Sequence, residues 1–113
     1  MLISKISGDL EKDILDEKKT IRRWGPENAK KIRQRINEIQ ASENLAMLKK
    51  LKKPNAHELT GDLKGHISLD LKHPKRMIVR PTNNPIPTLS DGGLDWDLIT
   101  ELEILYIGDT HDR

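Results

Sequence analysis

Apolar residues recur every three or four positions as far as Pro54 and every second position from His57 onward. This change of period constrains the fold more than any other feature of the chain. Helices come first and strands afterwards, without alternation. That order is α+β and not α/β, and it predicts N-terminal helices packed on one face of a small, mostly antiparallel β-sheet. With 113 residues and no composition break, one domain spanning 1–113 is expected.

Leu2 to Ile6 alternate and suit a short edge strand. From Asp9, a good N-cap, Leu10, Ile14, Leu15 and Ile21 fall at helical spacing among charged residues. Trp24-Gly25-Pro26 interrupts the pattern, Gly25 ending one helix and Pro26 fitting the first turn of the next. A second helix then carries Ala29, Ile32, Ile36 and Ile39 inward. Ser42 is placed to cap a third, with Leu45, Leu48 and Leu51, before Pro54 ends it. Beyond His57, Ile67, Leu69 and Leu71 alternate with His66, Ser68, Asp70 and Lys72. His73-Pro74-Lys75 makes a turn, and Met77 and Val79 alternate with Arg76, Ile78 and Arg80. A hairpin is predicted. Pro81 to Gly93, with three Pro and two Gly, reads as a loop, and Ile99 to Ile107 as an inner strand buried on both faces.

The formal charge of +2 conceals an uneven distribution. Residues 1–53 carry 14 basic against 8 acidic side chains, and residues 54–113 carry 6 against 10. Between Lys18 and Arg35 eight basic residues meet one acid, Glu27. Such density suits an encounter with phosphates. Hydrophobic residues make up only 35% and there is no Phe, so the core rests on Ile, Leu, Val and Met and is thin enough to gain from a partner.

The absence of Cys removes disulfides, thiolate metal sites and cysteine nucleophiles. No apolar run approaches the roughly 18 to 20 residues that span a bilayer, and the N-terminus lacks a signal-peptide core, so a cytoplasmic protein without membrane contact is expected. Scattered histidines, no calcium loop, no Gly-rich phosphate loop and no Gly-x-Ser-x-Gly elbow leave no expected metal or cofactor.

If Ile67, Leu69, Leu71, Met77 and Val79 face the helices, then His66, Ser68, Arg76 and Arg80 share the other face, which would be cationic and polar. Metal-free RNA cleavage needs a base for the 2′-hydroxyl proton, an acid for the leaving oxygen and cations for the charge that grows on the phosphate. His111, His57, His66 and Asp109 are candidates for acid or base; Arg76, Lys64 and Arg80 are candidates for the cation. Lys30 and Arg33 on the basic helix join His57, Lys64, His66 and Arg80 as candidate phosphate-binding residues.

Several segments together resemble a known family. They are Trp24-Gly25 before a helix with Ala29-Lys30-Lys31-Ile32 and Arg35-Ile36, His57-Glu58-Leu59-Thr60-Gly61-Asp62-Leu63-Lys64-Gly65, Ser68-Leu69-Asp70-Leu71, Arg76-Met77-Ile78-Val79, and the terminal Asp109-Thr110-His111. This order resembles the HigB-like toxins of the RelE/ParE superfamily over nearly the whole chain. The resemblance implies a RelE-like microbial ribonuclease fold acting at the ribosomal A site. There it would cut mRNA without a metal or cofactor and be held inactive by a HigA-like antitoxin with a helix-turn-helix that binds operator DNA. It assigns His111 the role of acid or base, Arg76 that of phosphate clamp, and Asp109 that of orienting its neighbours. Thr110 replaces the tyrosine of the family's Asp-Tyr-His, and Thr60 stands where relatives often carry a base, departures that imply a weaker nuclease. A non-enzymatic gyrase inhibitor on the same scaffold and a basic nucleic-acid-binding module are the competing expectations.

Overall fold

The computed structural model describes residues 1–109. In chain order the elements are β1 (Leu2–Ile6), α1 (Leu10–Leu15), α2 (Glu17–Ala41), α3 (Leu45–Lys49), β2 (His57–Glu58), β3 (Ile67–Asp70), β4 (Arg76–Pro81) and β5 (Glu101–Gly108). The α+β class follows the change of hydrophobic period.

The helical region is more broken than its spacing suggests. Asp16 leaves helical geometry at φ −115°, ψ 116°, ends α1, and caps α2 by accepting hydrogen bonds from the N–H groups of Lys18 and Lys19. That interruption shifts the helical phase, so Leu15 and Ile21, expected in the core, are 71% and 38% exposed. Gly25 sits at φ 87°, ψ 162°, a conformation open essentially to glycine, and divides α2 into two arms as Trp24-Gly25-Pro26 predicts. Thr20 of the first arm shares a small cleft with Ala29, Ile32 and Ile36 of the second, and Arg33 pairs with Glu17 at 3.2 Å. The arms therefore lie side by side.

Ser42 does not cap α3. Its hydroxyl donates to the Glu38 carbonyl at 2.8 Å and closes α2, while Asn44 caps α3 by accepting from the Met47 N–H at 2.8 Å. Leu51 falls beyond α3 and is 40% exposed.

The sheet runs β1-β5-β4-β3-β2, with β1 parallel to β5 and every other pairing antiparallel. Thus β1 is an edge strand and β5 an inner one, as expected. Ile32, Ile39, Leu45 and Leu48 from the helices meet Ile67, Leu69, Met77, Val79, Leu102 and Ile104 from the sheet in one core. Each such side chain removed from water stabilises the fold by roughly 1.5–3 kcal/mol before chain entropy is counted.

The segment between β4 and β5 is tied down. Asn83 accepts from the N–H groups of Thr100 and Glu101, Thr88 bridges Leu94, and a turn bonds the Leu89 N–H to the Gly93 carbonyl at 2.7 Å.

Candidate functional site

Strand register decides which side chains share the face turned away from the helices. His57 opposes Ser68, Ser68 opposes Ile78, and Ile78 opposes Tyr106, a row across four strands. Asp70, Arg76 and Gly108 form the next row, and Arg80 with Glu103 a shorter one. A register shift between Ile78 and Val79 gives β5 one extra residue, Leu105, which keeps Glu103, Tyr106 and Gly108 on this face.

Arg76 stands at the start of β4, with its Nε 3.1 Å from Asp70 Oδ1. The pair lacks hydrogen-bond alignment, and Asp70 Oδ1 is buried without a bonded donor. Asp70 Oδ2 accepts instead from the Asn55 side chain at 3.2 Å. The guanidinium donates only a long bond, 3.4 Å from Nη1 to the Lys75 carbonyl, so most of its donors remain uncommitted among the described residues. Arg80 is bound through Nε to Glu103, which is 4% exposed, while the Arg80 side chain is itself about half exposed.

These pairs revise the expected cationic face. Both arginines are matched by carboxylates, and Ser68 and Ile78 are buried, with Ser68 Oγ lacking a hydrogen-bond partner among the described residues. Alternation placed the arginines correctly but could not show that register would set an acid opposite each.

Tyr106 was not foreseen as part of this surface. A Cβ at position 108 would lie 2.5 Å from Tyr106 Oη and 2.7 Å from its Cζ, so the ring folds along β5 over the glycine. Because Gly108 opposes Arg76, the phenol is brought to the arginine's row. Asp109 follows directly and is half-buried. His111 lies outside the described residues.

The remaining candidates are more dispersed. His57 is exposed, with Nδ1 2.9 Å from the Asn55 carbonyl, and His66 is half-buried just before β3, with Nδ1 3.0 Å from the Leu63 carbonyl. Lys64 is exposed after the 3₁₀ turn Gly61–Leu63. Lys30 lines a cleft beside α2, whereas Arg33 is held at Glu17. Among the described residues no group of three or more His, Asp or Glu is placed to hold a metal ion. Likewise, no described helix is long and apolar enough to cross a membrane.

The family models, the curated proteins and the solved structures searched for likeness to this chain yielded no match.

Proposed function

We propose that this protein is the toxin of a toxin-antitoxin pair, a metal-independent endoribonuclease of the HigB-like kind that cuts mRNA at the ribosome. The observation that carries this reading is that Gly108 opposes Arg76 and lies under the Tyr106 ring at one end of the sheet face, just before Asp109, with most of the Arg76 fork unbonded among the described residues. A planar fork of that kind suits a phosphate whose charge rises during cleavage. In the reaction, the 2′-oxygen loses its proton and forms a bond to the adjacent phosphorus, the P–O5′ bond breaks, and the leaving oxygen takes up a proton. The products are a 2′,3′-cyclic phosphate and a 5′-hydroxyl. His111 supplies the acid or base, Asp109 orients it, and Arg76 stabilises the phosphorane. Tyr106 offers a ring for base stacking that Thr110 does not.

A HigA-like antitoxin would neutralise the protein in the cytoplasm by covering this face or the basic helices. A role without catalysis is the second reading, favoured by the acid set against each arginine, which reduces the positive charge left to stabilise a phosphorane.

Inducible expression of the wild type and His111→Ala, with growth curves and primer extension on a translated reporter mRNA, tests the proposal. Cuts within codons that fall about 10²–10⁴-fold in the variant are expected. Arrest with intact mRNA in both strains would favour a gyrase-type inhibitor, and no arrest a binding module.

A further inference from the structure

A second concavity lies between α2 and the end of β3 and meets the sheet-face site at Asp70. It has a volume of about 470 Å³ and is lined by Glu27, Lys30, Lys31, Gln34 and Arg35 of α2, by Lys53, and by Asp70 and Leu71. Its charges do not cancel. Glu27 is held by Lys72 at 2.8 Å, Glu38 by Arg35 at 2.7 Å, and Asp70 by Arg76 at 3.1 Å. Among the described residues no carboxylate forms a close ion pair with Lys30, Lys31 or Lys53, although the charge of Lys31 also acts on Glu27. Elsewhere on the helices, Arg23 is paired with Asp13 and Arg33 with Glu17.

Arg35 builds the wall of this cleft. It is 2% exposed, its Nε donates to the Asp70 carbonyl at 2.6 Å, and its Nη2 reaches only the Lys53 carbonyl at 3.4 Å. A guanidinium with donor capacity to spare thus stands behind three ammonium groups, none of them in a close ion pair among the described residues, and the four cations of the lining outnumber its two carboxylates. Like charges gathered around a concavity repel one another, and an anion relieves that repulsion.

We infer that this cleft binds a phosphate of single-stranded RNA, next to the one held by Arg76, so that α2 and the sheet face together follow one RNA backbone. The inference rests on the RNA-cutting reading of the face, because Asp70 belongs to both surfaces. The size of the cleft favours RNA over a partner helix, which is about 10–12 Å across with its side chains. A compact phosphate can be reached by lysines from several sides, and Gln34 adds a neutral donor.

Fluorescence anisotropy with a labelled, unstructured twelve-nucleotide RNA tests the assignment on the whole chain. Each phosphate contact contributes about −0.7 to the log–log slope of affinity against salt for a single strand. Lys31→Gln with Lys53→Gln is expected to flatten the slope by about 0.7 and weaken binding about fivefold near 0.1 M salt. Lys31→Glu with Lys53→Glu should weaken it further, with circular dichroism and melting temperature confirming the fold of both. In the wild type, inorganic phosphate should shift the amide resonances of residues 30–35 and 53. Unchanged affinity and slope in the folded variants overturn the assignment, as does tighter binding of polyglutamate than of RNA of equal charge, which would mark an acidic protein partner. Cleft-dependent binding by a protein that cuts no mRNA would uphold the cleft and reject the nuclease reading.

Discussion

Gly108 shows how one missing methyl group shapes the sheet face, since a Cβ there would lie 2.5 Å from the Tyr106 hydroxyl. Gly108→Ala should therefore displace the ring and destabilise the protein by about 1–3 kcal/mol in urea unfolding. With Tyr106→Ala already present, the same change should cost almost nothing or stabilise by up to about 1 kcal/mol, because the alanine restricts the unfolded chain. Additive costs in this double-mutant cycle would mean that the ring does not lie over position 108. Arg35 makes the opposite argument, from the bonds that it forms. Its guanidinium is buried and bonds the Asp70 carbonyl and the Glu38 carboxylate. Arg35→Met leaves the Asp70 carbonyl without this donor, and a loss of about 3 kcal/mol is expected. Arg35→Lys should not restore it, since one ammonium cannot reproduce the planar fork. Glu27 is a surface contrast. The Lys72 hydrogen bond holds its carboxyl below the usual carboxylate range. The stabilisation that accompanies this lowering is present above the unfolded pKa and fades as pH falls through the folded one. Side-chain NMR should show the Glu27 titration midpoint rise in Lys72→Ala.

At the scale of elements, polar residues decided what apolar spacing could not. From Leu10 to Ile21 the hydrophobic positions fit one helix, yet Asp16 breaks it because its carboxylate satisfies two N–H groups of the following turn. Ser42 and Asn44 both suit an N-cap by type, and the structure gives Ser42 to the end of α2 and Asn44 to the start of α3. Asp16→Ala and Asn44→Ala should each cost about 1 kcal/mol, measured by chemical denaturation. Gly25→Ala places a side chain at φ 87° and should cost about 1–3 kcal/mol, separating the arms of α2 if the strain is relieved there. The hairpin, the inner position of β5 and the break at Gly25 were legible, because period-two alternation, a doubly apolar run and a Gly-Pro pair each admit few conformations. The candidate site was legible only in part. Alternation puts Arg76 and Arg80 on one face, but the acids opposite them depend on register and on the extra residue at Leu105, neither of which leaves a periodic mark. Tyr106 would have been suggested by noticing that Gly108, two residues on, occupies its own side of the strand.

Across the whole molecule, the order of contacts along the chain sets a sequence of assembly. The hairpin of β3 and β4 joins neighbours in sequence, and α1, α2 and α3 follow one another directly. The parallel pairing of β1 with β5 instead brings Leu2 to Glu101 and Ile6 to Ile104, across nearly the full chain. The closure entropy of so long a loop rises only slowly with its length, yet it must be met before the contact contributes anything. Ile3 packs against the core from β1, while Leu69 and Met77 lie in the core on the hairpin. Ile3→Val should therefore accelerate unfolding and leave the folding rate almost unchanged, a φ-value near 0, whereas Leu69→Ala should slow folding with a φ-value of about 0.5 or more. Stopped-flow chevrons of the three proteins decide it, with Ile3→Ala available if the milder change shifts stability by less than about 0.6 kcal/mol. A high φ-value at Ile3 would mean that the terminal strands meet before the hairpin is complete. If β1 does dock last, the other edge of β5 stays open until the chain closes, and the Arg76 row is in place before that edge is covered, because Arg76 pairs with Gly108 through β4 alone.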